Sequence, residues 1–272
     1  MNIVWIGSVG KEFMELDDKQ RAAQEQFGKQ SSCYGKGHIL ADVSDVEEAL
    51  ARTTLSPGAS ALDVATGAGH TALYLAGNGL EVTACDVARA MLDRTAEAAG
   101  ELGLEINLQQ HVAEVFPYQD DFFDLVTCRV AGHHFSDVKD FVNESARVLK
   151  PGGWFLLIDG SVPDDEAVAE AWTHQVEKLR DPSHGRFLRQ GEWSELCAGA
   201  GLSVISSELQ AMKMPDLDWY FEAANTAEEN RVKVRDLVRN APQQARRVFS
   251  LAEEGGKTVW WWQRLTLVAQ KI

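Results

Sequence analysis

The chain has 272 residues and an ordinary globular composition, 45% hydrophobic and 25% charged, a length suited to one large α/β domain with additions. Its formal net charge of -15, from 41 acids against 26 bases, repels phosphate backbones, so nucleic acid is not the expected partner. The four cysteines, Cys33, Cys85, Cys128 and Cys197, lack pair spacing, which argues against a zinc site or a disulfide scaffold and fits a reducing, cytoplasmic compartment.

Residues 1–10 read as an added strand or an extension; they lack a basic flank and are soon interrupted by Lys11 and Glu12, so neither a signal peptide nor a membrane span is expected. Residues 11–28 place Phe13, Leu16, Ala23 and Phe27 on one helical face, and 30–37 form a loop around Tyr34. A second helix is predicted over 42–52, with Ser44 and Glu47 at capping-box spacing. Residues 61–65 are a short apolar run around Asp63, consistent with a buried parallel strand. Thr66-Gly67-Ala68-Gly69 lets backbone approach a ligand, and a helix over 70–76 would aim its free N–H groups there. After Gly77-Asn78-Gly79, a strand over 80–85 ends in Asp86, an acid placed to accept hydrogen bonds from ribose hydroxyls.

Further along, 88–102 is an amphipathic helix with Met91, Leu92 and Ala96 inward, and 106–111 a third strand. Ala113-Glu114 precede an aromatic and acidic loop, and 123–128 is a fourth strand. A helix over 136–149 stops at Lys150-Pro151-Gly152-Gly153, and 154–158 is a fifth strand ending at Asp159. This alternation implies a doubly wound parallel sheet with right-handed crossovers. Residues 163–179 read as helical, 190–200 as helix, 202–208 as a sixth strand, 217–240 as mostly helical, 241–252 as a short helix, and 258–269 as the last strand. Side chains alternate faces along a strand, so Trp260, Trp261 and Trp262 are not expected to line one pocket together.

The glycine turn departs from the dinucleotide pattern, which needs G-x-G-x-x-G for a pyrophosphate. Only Gly67 and Gly69 are present, and Asp63 would repel a pyrophosphate but attract an ammonium group. S-adenosylmethionine, with a ribose, an α-amino group and no phosphate, suits that charge pattern better than NAD or FAD.

At this point the sequence resembles the class I S-adenosylmethionine-dependent methyltransferases, on D-x-x-x-G-x-G from Asp63, the terminal Asp86, FPYQDDFFDLV and RVLKPGG. Within them it is most similar to the ubiquinone/menaquinone-biosynthesis branch, which commonly has Ala at the position of Ala65. The resemblance implies a mostly parallel seven-stranded Rossmann-like α/β sheet, an N-terminal helical cap over 1–52, and a methyltransferase domain over 53–272. Residues 163–200 and 212–255 would be lid insertions. It implies cofactor contacts from Asp63, Ala65, Gly67, Gly69, Asp86, Val87, Met91, Ala113, Glu114, Cys128 and Arg129, with Phe27 and Tyr34 closing over the cofactor.

For methyl transfer the loop after the fourth strand offers His133 and His134, with Asp159 at the next strand end, as candidate catalytic groups. Tyr34, His133, His184 and Arg186 are candidate substrate contacts. The expected acceptor is a small molecule methylated on carbon, oxygen, nitrogen or sulfur, and a homodimer is left open. Two alternatives stand beside this: an RNA or protein methyltransferase, and a non-catalytic cofactor-binding protein. The first is disfavoured by the acidic charge and by Cys128-Arg129-Val130-Ala131 where an N/D-P-P-Y/F motif would stand.

Overall fold

The computed structural model describes residues 15–31 and 38–272; Met1 to Gly10, Cys33 and Tyr34 lie outside them. Two helices come first, α1 (Asp18–Gln30) and α2 (Ser44–Leu50). α1 starts at Asp17, whose carboxylate accepts the Lys19 and Gln20 N–H groups while the Gln20 side chain returns to the Asp17 N–H. Ser44, expected to cap α2, is instead its first residue, because Asp42 takes the Ser44 N–H at 2.9 Å.

The central unit then runs as anticipated: β1 (Ser60–Val64), α3 (His70–Gly77), β2 (Glu81–Asp86), α4 (Arg89–Leu102), β3 (Ile106–Gln110), β4 (Phe123–Arg129), α5 (Val138–Val148) and β5 (Leu149–Ser161). Strand β5 starts five residues before the expected Trp154. Leu149 pairs with Phe123 and Trp154 with Leu125, so Lys150 to Gly153 are a bulge inside the strand rather than a turn before it. The C-terminal part holds α6 (Ala167–Arg180), α7 (Gln190–Gly199), β6 (Leu202–Lys213), α8 (Leu217–Ala223), α9 (Glu228–Arg239), α10 (Gln243–Val248), the hairpin β7 (Ala252–Glu254) and β8 (Lys257–Val259), and β9 (Trp261–Lys271).

The seven-stranded sheet has the order β3-β2-β1-β4-β5-β9-β6. The first five strands pair in parallel, and β9 inserts antiparallel between β5 and β6. Period-two alternation gives each face its own core. Leu62, Val64, Val126, Phe155 and Leu157 pack under α5 and α7, while Ala61, Leu125, Leu156 and Ile158 pack under α2, α3 and α4. Each such Leu or Phe, wholly buried, contributes about 1.5–3 kcal/mol. A third apolar cluster joins α6, α8, α9 and α10 through Trp172, Tyr220, Phe221, Val234 and Trp260. Val162, Met214 and Trp260 belong to it and adjoin β5, β6 and β9 at one end of the sheet, so this cluster sits over the carboxyl edge of the parallel strands. Among the described residues no helix is long and apolar enough to cross a membrane.

Candidate active site

Strand order reverses between β1 and β4, and ligands of such sheets bind in the crevice beyond the carboxyl ends there. Both strands leave that crevice through left-handed residues, Ala65 at φ 53° and Val130 at φ 54°. Neither is glycine and Val130 is β-branched, so each conformation costs about 1–3 kcal/mol that the surrounding sheet must offset. The Thr66 N–H to Cys85 carbonyl bond (2.9 Å) and the Val130 N–H to Ile158 carbonyl bond (2.7 Å) hold them.

The two glycines of the turn differ in purpose. Gly67 has φ 57° and a side chain there would meet nothing within 4 Å, because the position faces the cavity. Gly69 has φ 84°, but its added Cβ would come 2.6 Å from Thr95 Cγ2. Its lack of a side chain lets α3 sit against α4, and it is not part of the cavity wall.

Asp86 ends β2 on the wall, accepting the Gly67 N–H at 2.9 Å and the Ala88 N–H at 2.8 Å. Each oxygen keeps a further lone pair for a ligand hydroxyl. Asp63 is set deeper, 1% exposed, with Thr66 Oγ1 at 2.6 Å and Thr127 Oγ1 at 2.8 Å donating to it. It shapes the turn from behind, and Thr66 is the residue on the wall. Burial raises both carboxyls to about 6; hydrogen bonds from the two threonine hydroxyls to Asp63 and from the Ala88 and Gly67 N–H groups to Asp86 oppose this in part.

Val87, Met91, Ala113 and Glu114 continue the wall beside Asp86. Across from them lie Gln20, Ala23 and Phe27 of α1, tied down by Gln20 to Glu114 (2.9 Å) and Gln24 to the Val87 carbonyl (3.0 Å). His111, which sequence reasoning passed over, also lines this part, held neutral by burial at about 4 while its ring nitrogens meet the Val112 carbonyl and Tyr118 hydroxyl. A side-chain-free cradle at Gly67, a strand-end acid with open lone pairs and an apolar slot at Val87 and Met91 fit a nucleoside cofactor without phosphate.

Arg129 reaches the wall, but its guanidinium is committed to Asp45 (3.0 Å) and to the Leu40 and Asp42 carbonyls. It ties the segment before α2 to the end of β4. Cys128, expected beside the cofactor, is wholly buried in the core under α5 and is not on the cavity wall.

The loop after β4 is a single helical turn, Gly132–His134. Its His133 is on the wall, with Nδ1 2.6 Å from Asp159 Oδ1 and its own N–H 2.9 Å from Oδ2. The carboxylate makes Nδ1 the donor and leaves Nε2 as the acceptor of the ring. A Cβ on Gly132 would come 3.0 Å from Asp159 Oδ2, so glycine is what allows this approach. His134 is pinned differently: the Ser183 hydroxyl donates to Asp181 Oδ1 at 2.7 Å, so His134 Nδ1, 3.1 Å away, donates to Ser183 Oγ. Burial and then the neighbouring His133 keep His134 neutral.

The Methyltransferase domain family matches residues 62–157. YcgJ of Bacillus subtilis, an uncharacterized methyltransferase, is 33% identical over 227 residues, 83% of this chain and 88% of YcgJ. This chain belongs to the class I S-adenosylmethionine-dependent methyltransferases. The crystal structure of YcgJ agrees in fold, with a TM-score of 0.79 at 29% identity over 85% of the methyltransferase and 99% of the YcgJ chain. The ubiquinone/menaquinone biosynthesis C-methyltransferase UbiE of Brucella anthropi is 29% identical, covering 73% of this chain and 86% of its own. A geranyl diphosphate C-methyltransferase from Streptomyces coelicolor shares the fold alone, with 14% identity and a TM-score of 0.66 over 94% and 99% of the two chains.

In this methyltransferase the cavity runs on from His133 to the underside of the helical cluster, where Met212, Met214, Trp219, Tyr220 and Trp262 line it. Met212, Met214, Trp219 and Tyr220 fall in the expected lid over 212–255, and Trp262 in the expected last strand. Alternation along β9 does separate the tryptophans: Trp262 lines the cavity and donates to the Tyr220 hydroxyl (2.9 Å), while Trp261 lies under Lys213. His38, also unforeseen, joins this end and is neutral, brought to about 4 by burial and by His70. Of the candidate substrate contacts, His184 is buried behind His133, with ring centroids 5.2 Å apart. Arg186 lies outside the cavity, paired with Glu192 (2.7 Å) and Glu170 (3.1 Å).

Proposed function

We propose that this methyltransferase acts on a compact, largely apolar small molecule whose accepting atom carries an ionisable proton. The observation that carries the reading is the His133–Asp159 pair on the wall of a cavity whose far end is apolar and aromatic. Gly67, Asp86, Val87, Met91, Ala113 and Glu114 would hold S-adenosylmethionine, with Asp86 accepting from the ribose hydroxyls; Asp63, Ala65 and Gly69 would shape the turn that receives it. The bound cofactor supplies an electrophilic methyl group on sulfur.

The chain's own residues have the remaining tasks. Asp159 holds the His133 ring in one tautomer, so Nε2 is presented as base. Met212, Met214, Trp219, Tyr220 and Trp262 exclude water and orient an apolar acceptor by shape. His38 and His134, both neutral, add polarity without charge, and Arg180 on the same wall is engaged by Glu177 and the Tyr220 ring, which suits an uncharged acceptor.

Incubation with methyl-labelled S-adenosylmethionine and a fractionated metabolite extract tests this. Label is expected in a low-molecular-weight, organic-extractable fraction. Label confined to RNA or protein, or found in no fraction, overturns the reading.

A further inference from the structure

Methylation of an acceptor X–H exchanges an X–H bond for an X–CH3 bond. The electron pair of the broken S–CH3 bond stays on sulfur, and one proton is set free per turnover. In the reading above that proton arrives on His133 Nε2, on the wall of the cavity, and has to reach solvent before the next cycle.

Behind His133 stands a row of imidazoles that the cofactor and acceptor sites do not use. His184 is 1% exposed, and its Nε2 is buried without a hydrogen-bond partner. An orphaned buried ring nitrogen costs about 1–3 kcal/mol, which is a reason to look for a role. Its ring centroid is 5.2 Å from that of His133 on one side and 6.0 Å from that of His174 on the other. The rings are tilted against one another by 40° and 51° and no hydrogen bond joins them as they stand, so each transfer needs a ring rotation that brings two nitrogens within about 3 Å. His174 is on the exposed side of α6, in contact with water. The row therefore runs from the cavity wall through the interior to the surface.

We infer that His184 relays the proton from His133 to His174, one ring nitrogen accepting as the other donates. The groups around it favour a carrier over a store. His133 and His134 face it from the turn after β4, and His174, Lys178 and Arg180 from α6; Lys178 Nζ donates to the His184 carbonyl at 2.8 Å. Burial first, and these cationic or basic neighbours second, keep His184 neutral between transfers. Phe187 packs on its ring at 4.8 Å and keeps water from short-circuiting the row.

The test reads ring N–H exchange with water by NMR in protein carrying isotope-labelled histidine, and needs no acceptor. In His174→Gln, a surface change expected to leave the thermal midpoint alone, exchange of the buried His184 and His133 ring protons slows by roughly tenfold or more. Added imidazole, a diffusible stand-in for the lost ring, restores it. His184→Asn, if folded, slows exchange at His133 in the same way; if it does not fold, His174→Gln alone decides. Unchanged exchange in His174→Gln overturns the relay and assigns proton exit to the outer groove beside His133 and Lys19. The relay rests on His133 being the base, yet the two fail separately. Slowed exchange without methyl transfer to any acceptor removes the functional reading alone, and full methyl transfer with unchanged exchange removes the relay alone.

Discussion

Asp86 ends β2 with 6% of its surface exposed, and burial raises its carboxyl to about 6. The folded-state value lies above the ordinary 3.8, so the native state takes up the proton first. Asp86 and Asp63 therefore lower stability near pH 7, and that penalty fades as pH falls through 6 towards 4. Cofactor binding as proposed runs the other way, because the ionised carboxylate is the stronger acceptor for ribose hydroxyls. Titration calorimetry with S-adenosylhomocysteine is expected to show affinity falling about tenfold per pH unit below 6 for one proton. Asp86→Asn flattens that dependence and weakens binding by about 1.5–3 kcal/mol at pH 7.5. At His133, replacement by Ala is expected to lower kcat by about 10²–10⁴ with the S-adenosylhomocysteine Kd unchanged. Asp159→Asn keeps the ring but loses the fixed tautomer, and its loss of kcat should approach that of His133→Ala in the same labelled-methyl assay.

Among the elements, the turn from β1 into α3 shows how one motif serves two ends. Gly67 opens the cavity, whereas Gly69 allows α3 to meet Thr95 of α4. Gly79 provides an internal comparison, with the same φ of 84° and nothing within 4 Å of an added Cβ. Gly79→Ala is expected to cost only the left-handed conformation, about 1–2 kcal/mol. Gly69→Ala adds a 2.6 Å clash and should cost about 1–3 kcal/mol more, measured as the difference between urea midpoints. Legibility followed the same division. The βαβ unit from β1 to β5 was readable because each element is set by local periodicity and its own punctuation. The start of β5 was not, since its bulge at Lys150 to Gly153 exists only through the register with β4. The α2 cap was misread because Asp42 and Ser44 compete for the same end, and the choice depends on how the chain arrives there.

For the molecule as a whole, α2 is fastened to the sheet by a buried acid. Asp45 on α2 accepts from Arg129 of β4 and from Arg264 of β9, each at 3.0 Å, joining residues 84 and 219 positions apart. Asp45→Asn leaves two largely buried guanidiniums short of their counter-charge and is expected to cost about 3–5 kcal/mol in denaturant unfolding. Arg264→Met, which leaves the Asp45–Arg129 pair intact, should cost clearly less. No spacing in the sequence pointed to this triad.

The sequence by itself determined the unit that walls the proposed methyl-donor site. Asp63, Gly67, Gly69 and Asp86 lie within one strand–turn–helix–strand unit, where short-range geometry dictates what each can do. Only the tertiary structure decided the proposed acceptor side of the cavity. Met212, Trp219, Tyr220 and Trp262 come from separate elements and meet His133 and Asp159 because β9 inserts antiparallel beside β5 and carries the helical cluster over the carboxyl edge of the sheet. It also decided between residues that look alike in sequence: Cys128 and Arg186 turned away, His184 settled behind the wall, and Trp262 reached the cavity that Trp261 faces away from. The reason is physical: strand alternation and helix packing choose a side chain's face, and neither is settled until the partner strand or helix is in place.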